Sequence, residues 1–248
     1  MIDQLRGTRQ LAQDVWINPD YAPNQAVTTM ELSGPTDADH LTVLFPPWHG
    51  GGTAYDHLKK RLGAAGSAVL DLKFSDFILG PNADEVVQSY GVVEEKVATE
   101  LDRLAEEHHY RQVHAFGASL GNVALGVVAR RFNGFTDTTM VVAGSNLARS
   151  MWEGFRTQRL RGYYEAQGVS EDALDKAWHD LAPKTNAGAF NGKPVRLFMS
   201  SKDDIIPSKY QVEMERELTG AGAYVRSRTS RLGHYLSVGA SCYLRKTP

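Results

Sequence analysis

A chain of 248 residues with 42% hydrophobic content is long enough to bury a full core without disulfide or metal staples, since roughly 70 to 75% of the unfolded surface can be buried at this size. The net charge is -2, with both signs spread along the chain, so no basic face is offered to nucleic acid or to an anionic membrane. Cys242 is the only cysteine, which excludes a disulfide framework and suits a buried small residue in a reducing compartment. At the N-terminus, MIDQLRGTRQLAQDVW carries charges throughout and no apolar central run. It reads as neither a signal peptide nor a membrane span, and a cytoplasmic location is expected. Residues up to about Gln25 are polar and irregular, with Pro19 and Pro23 limiting regular structure. Val27 to Leu32 alternates like a strand and is followed by a Ser33-Gly34-Pro35 turn; Leu41 to Phe45 is a continuous apolar run of buried-strand type.

Pro46-Pro47-Trp48-His49-Gly50-Gly51-Gly52-Thr53 comes next and leads into a helix through Leu58 and Leu62, expected to end before Gly63. A glycine-rich loop at a helix start presents backbone N–H groups suited to an anionic oxygen. Neither the dinucleotide fingerprint nor the Walker lysine pattern is present, and no cofactor is expected. Ser67 to Leu72 is a further strand and Lys73 to Ala83 a loop. From Asp84 to His108, apolar residues recur at three- and four-residue steps and mark a long helix. His108 and His109 at its end read as terminal polar residues rather than metal ligands, and no metal site is expected.

Val113 to Phe116 then forms a strand, Gly117-Ala118-Ser119-Leu120-Gly121 a turn, and Val123, Val127 and Val128 one side of a helix. A serine between two glycines at a strand-to-helix turn is pushed out above the sheet, which makes Ser119 the candidate nucleophile. The bland alternative is a capping serine on a glycine-rich turn. Thr138 to Ala143 is another buried strand, whereas residues 145–190 hold no strand-like run. This segment is helical, with Glu171 to Leu181 capped by Ser170, and carries Trp152, Phe155, Tyr163, Tyr164 and Trp178. Strands resume at Val195 to Met199 and Tyr224 to Arg228, separated by a helix ending near Leu218. A short helix follows Gly233-His234-Tyr235. The alternation argues an α/β fold with a mostly parallel, doubly wound sheet, in which functional residues gather at the carboxyl ends of strands. Ser119, Asp203 and His234 all fall at such ends.

With Gly117-Ala118-Ser119-Leu120-Gly121, Asp203-Asp204-Ile205-Ile206-Pro207 and Gly233-His234 in that order, the chain resembles the α/β-hydrolase superfamily from about Val27 onward. The resemblance implies a core of 1–144 and 191–248 with a helical cap at 145–190, and it selects Asp203 over Asp204 as the acid. It further implies a serine hydrolase acting on a small-molecule ester, thioester or lactone, with no metal or cofactor. Leu120 N–H would be one oxyanion donor. For the second, Pro46-Pro47 standing in the family's usual His-Gly place points to Trp48, whereas a literal reading of His49-Gly50-Gly51-Gly52 points to Gly50 or Gly51. Trp152, Phe155 and Tyr163 are candidate pocket residues, against the alternative that cap aromatics merely pack. Arg149, Arg156, Arg159 and Arg161 suit either an acidic substrate or a solvated surface. Amide or carbon–carbon bond hydrolysis, and a small-molecule receptor with little turnover, are the rival functions; a homodimer is left open.

Overall fold

The computed structural model describes Asn18 and residues 20–244, so the N-terminal stretch read above, Pro19 included, lies outside the described residues. Seven strands form one sheet: β1 (Val27–Ser33), β2 (His40–Phe45), β3 (Ala68–Phe74), β4 (Gln112–Ala118), β5 (Asp137–Val141), β6 (Pro194–Ser200) and β7 (Tyr224–Ser230). Their order is β1-β3-β2-β4-β5-β6-β7, with β1 antiparallel to β3 and every other pairing parallel.

Helices α1 (Gly52–Ala64), α2 (Ala83–His108), α3 (Gly121–Arg131), α7 (Ser208–Gly220) and α8 (His234–Leu244) cover the sheet. Successive strand residues point to opposite faces, and here both faces are apolar. Leu44, Val69, Phe116 and Val141 pack with Leu58 and Leu62 of α1 and Val238 and Cys242 of α8. Val43, Leu70, Ala115 and Met140 face the other way, into the cluster built on α2, α3 and α7. Cys242 is thus a fully buried core residue, as its setting in the sequence suggested.

Several boundaries shift for identifiable reasons. β3 runs on to Phe74 because β1 pairs beside it, placing Val27 opposite Phe74. α1 passes through Gly63; the left-handed glycine that turns the chain is Gly66, with φ of 80°, and Ser67 N–H reaches back to the Leu62 carbonyl at 3.0 Å. β5 stops at Val141, two residues short of the expected end, because Val142 adopts φ of 45°. α6 (Glu171–Ala177) is shorter than the expected helix and gives way to a tighter turn over His179–Leu181.

Between β5 and β6 stand α4 (Leu147–Glu153), α5 (Gln158–Ala166) and α6, and no strand. Two buried aromatic residues peg this insertion down. Tyr164 donates its hydroxyl hydrogen to the Gly80 carbonyl at 2.8 Å, and Trp178 donates Nε1–H to the Ala83 carbonyl at 3.2 Å. Their rings meet edge-to-face at 5.9 Å. Among the described residues no helix is long and apolar enough to cross a membrane.

Candidate active site

Ser119 sits between the end of β4 and the start of α3 with φ of 53°, a left-handed conformation costing a non-glycine residue about 1–3 kcal/mol. The surrounding backbone holds it there. Ser119 N–H donates to the Val141 carbonyl at 3.0 Å, and the Ser119 carbonyl accepts from Asn122 N–H at 3.0 Å and from Asn122 Nδ2 at 3.1 Å. Asn122 Nδ2 also reaches the Val141 carbonyl at 2.9 Å, lacing the elbow to the neighbouring strand. Both flanking glycines are there for space: a Cβ on Gly121 would lie 2.2 Å from the Phe45 carbonyl oxygen, and one on Gly117 2.6 Å from Asn122 Oδ1.

His234 opens α8 after β7, and Asp203 follows β6. His234 Nε2 lies 3.0 Å from Ser119 Oγ, while Nδ1 lies 2.9 Å and 3.0 Å from the two Asp203 oxygens. A carboxylate only accepts, so this arrangement puts the imidazole proton on Nδ1 and leaves Nε2 to accept from the serine hydroxyl. Asp203 is itself fixed: Oδ1 accepts from Ile205 and Ile206 N–H at 2.9 and 2.8 Å, and Oδ2 accepts from Gln211 Nε2 at 3.0 Å. Asp204 is exposed and contributes its carbonyl to Phe155 N–H instead.

The glycine-rich loop after β2 lies against the same elbow. Trp48 stacks on His49 with centroids 4.7 Å apart and donates Nε1–H to the Asp76 carbonyl at 2.9 Å, while His49 Nδ1 lies 2.9 Å from Asp76 Oδ1. Gly50 N–H is spent on the Pro47 carbonyl at 2.9 Å. Gly51 leaves room for the Tyr55 ring, which a Cβ there would strike at 1.9 Å. Leu120 N–H opens α3, where the first N–H groups have no carbonyl one turn earlier to bind.

No family model matches the chain, and no curated protein does. Solved structures do. A cold-adapted esterase from an Arctic intertidal metagenomic library is 13% identical with a TM-score of 0.58, over 85% of this chain and 81% of that one. An acetyl xylan esterase from Paenibacillus sp. R4 is 12% identical with a TM-score of 0.60, over 81% of this chain and 70% of that one. Pyrococcus horikoshii acylaminoacyl peptidase, also at 0.60 and 12%, matches 83% of this chain but only 35% of its own. The fold is that of the α/β-hydrolases.

Within this α/β-hydrolase fold a cavity of about 70 Å³ adjoins Ser119. The core supplies Trp48, Leu120 and Val123 to its wall, and the insertion supplies Asn146, Leu147, Ser150, Met151, Thr157 and Pro183. Gly50 and Gly51 do not line it; they line a larger, more polar cavity of about 330 Å³ that shares Trp48 and Leu120 with it. The three expected pocket aromatics, Trp152, Phe155 and Tyr163, are not on the wall beside Ser119 either. Phe155 and Tyr163 are exposed, and Trp152 packs against the core. In α4 the stripe towards the cavity is Leu147, Ser150 and Met151, which leaves Trp152 on another side of that helix. Arg149 and Arg161 pair with Asp175 at 3.1 Å and Glu165 at 3.6 Å, and Arg156 lies over the Tyr235 ring at 5.4 Å. Among the described residues no three His, Cys, Asp or Glu side chains are grouped to hold a metal ion.

The sequence reading missed Gln211 and Asn122. Gln211 is fully buried in α7; its Nε2 donates to Asp203 and to the Ile206 carbonyl, and its Oε1 accepts from Ser200 N–H at 2.8 Å. A glutamine in an otherwise apolar inward stripe, with Tyr210, Met214 and Leu218, was the available signal.

Proposed function

We propose that the chain is a serine hydrolase that cleaves a small carboxylic ester, thioester or lactone through an acyl-Ser119 intermediate. The observation that carries this reading is the continuous relay Ser119–His234–Asp203, with every step at 2.9 to 3.0 Å. Esterases among the structural neighbours support the ester class.

In the first half-reaction His234 Nε2 takes the proton from Ser119 Oγ as that oxygen attacks the carbonyl carbon. Asp203 holds the Nδ1 tautomer and stabilises the imidazolium formed. The oxyanion is met by Leu120 N–H and Trp48 N–H, both on residues that wall the cavity beside Ser119. His234 then returns the proton to the departing alcohol or thiol. In the second half-reaction it takes a proton from water, whose oxygen attacks the acyl carbon, and returns that proton to Ser119 Oγ as the acyl–oxygen bond breaks. Residues 145–190 act as a cap that forms one wall of the acyl site. The cavity holds a short acyl chain of about five to seven heavy atoms, since one water needs about 10–15 Å³ by the same measure.

The test is hydrolysis of p-nitrophenyl esters of increasing acyl length by wild type, Ser119→Ala and His234→Ala, with circular dichroism to check folding. Turnover restricted to short chains and lost by several orders of magnitude in both variants supports the proposal. A folded wild type with no activity on any ester defeats it.

A further inference from the structure

The wall of the Ser119 cavity carries four side chains with hydroxyl or amide groups: Ser119, Asn146, Ser150 and Thr157. Three of these are committed elsewhere. Ser119 is in the relay; Asn146 accepts from Arg149 N–H at 3.0 Å and donates to Asp175 at 2.6 Å; Thr157 donates to the Met151 carbonyl. Ser150 is different. It is 8% exposed, its Oγ is buried, and no group among the described residues pairs with that hydroxyl. A buried hydroxyl without a partner is costly, and in a cavity wall it marks a place where something else is meant to bind.

Gly144, also on the wall, points to the same spot. Its φ is not positive, so its backbone does not require glycine. A Cβ there would lie 2.7 Å from Ser150 Oγ and 2.9 Å from Ile206 Cγ2. Glycine therefore keeps open the space beside the unpaired hydroxyl.

Resting on the hydrolase reading above, we infer that Ser150 is a specificity-determining residue that donates a hydrogen bond to an oxygen carried on the acyl chain, making short oxygenated acyl groups the preferred substrates. The acyl arm is assigned to this cavity because it stays attached to Ser119 through both half-reactions, whereas the leaving group departs after the first. An ether, hydroxyl or keto oxygen on that arm satisfies Ser150; an all-carbon chain of equal size leaves it stranded.

Two esters with the same number of heavy atoms test this: p-nitrophenyl methoxyacetate and p-nitrophenyl butyrate. The ether oxygen also activates the carbonyl, so the readout is the methoxyacetate-to-butyrate ratio of kcat/KM in wild type divided by that ratio in Ser150→Ala, in which intrinsic reactivity cancels. The quotient is expected to be about tenfold, the usual effect of losing one buried partner. Ser150→Cys, of similar size with only a weak donor, gives the same comparison should the alanine variant fold poorly. A quotient near one, with both esters still hydrolysed in a Ser119-dependent way, overturns the inference and leaves the hydrolase reading standing; it would mean that water alone occupies the space by Ser150. Absence of Ser119-dependent hydrolysis of either ester removes the hydrolase reading and the inference with it.

Discussion

Ser119 is held by backbone geometry with one side-chain amide, that of Asn122, whereas the wall that faces it across the cavity is held by side chains throughout. The elbow rests on a left-handed serine, a left-handed Val142 next to the carbonyl that receives it, and glycines whose missing Cβ atoms let α3 approach β2. The insertion rests on links between separate elements: Tyr164 and Trp178 reaching Gly80 just before α2 and Ala83 at its start, Asp175 binding Asn146 and Arg149, Ser145 bonding Glu213, and Glu153 meeting Lys209 and Tyr210 of α7. The atoms of the Ser119–His234–Asp203 relay are therefore set by strain that the whole sheet over-determines, and the facing cavity wall by links that can be removed singly. Chemistry and pocket should break separately.

The largest effect is expected on the chemical side. Asp203→Asn keeps an acceptor for Ile205 and Ile206 N–H but no longer enforces the Nδ1–H tautomer of His234, so kcat/KM should fall on the order of 10⁴-fold with the circular dichroism spectrum unchanged. On the other side of the comparison, Trp178→Ala empties a fully buried site between α6 and α2. It should cost about 3–5 kcal/mol in urea unfolding, while turnover of an acetate ester persists wherever the variant is folded. A Trp178→Ala enzyme that is folded and dead would show that the insertion sets the chemistry as well as the wall.

The same contrast decides what could be read from the sequence. Local rules wrote the elbow, the buried parallel strands and the order serine, acid, histidine into short stretches, and the structure places Ser119, Asp203 and His234 within hydrogen-bonding distance. The pocket was not local. Aromatic content in 145–190 pointed to Trp152, Phe155 and Tyr163, yet which of them faces Ser119 depends on how α4 and α5 rotate against the sheet, and spacing within the helix alone does not reveal that. Leu147, Ser150 and Met151 took the inward stripe, and Tyr164 and Trp178 became pegs. β3 ran long because its partner β1 lies elsewhere in the chain. Gln211 was hidden for a related reason: its partners Asp203 and Ser200 come from the preceding strand and loop, so no motif around it announces them.

Gln211 allows a smaller and sharper test. It touches Asp203 and not the reacting atoms, so it is a positioning residue. Gln211→Leu keeps most of the buried volume but strips one donor from Asp203 and the acceptor from Ser200 N–H. We expect kcat to fall about tenfold with KM nearly unchanged, alongside a loss of about 1–3 kcal/mol of stability. A purely structural role would lower the melting temperature and leave kcat of the folded fraction alone.

The smallest effect concerns the carboxylates that fasten the wall. Burial pushes the Asp175 carboxyl up, but hydrogen bonds from Asn146 and Arg149 outweigh it and hold it below the usual carboxylate range. Burial likewise raises Glu213, and the Ser145 hydroxyl and the charge of Lys184 bring it below that range. A carboxyl depressed in the folded state stabilises the protein above its unfolded pKa and loses that contribution as pH falls through the folded value, below the ordinary carboxylate range. Both side chains are about a quarter exposed, so screening limits each link to about 0.5–1 kcal/mol. The double variant Asp175→Asn, Glu213→Gln should therefore melt below wild type at pH 7, with the gap closing as pH falls below the ordinary carboxylate range and the wild-type carboxylates protonate. A gap that persists undiminished at low pH would mean that shape, and not ionised carboxylates, holds α4, α6 and α7 together, and the division between a strained core and a linked wall would have to be redrawn.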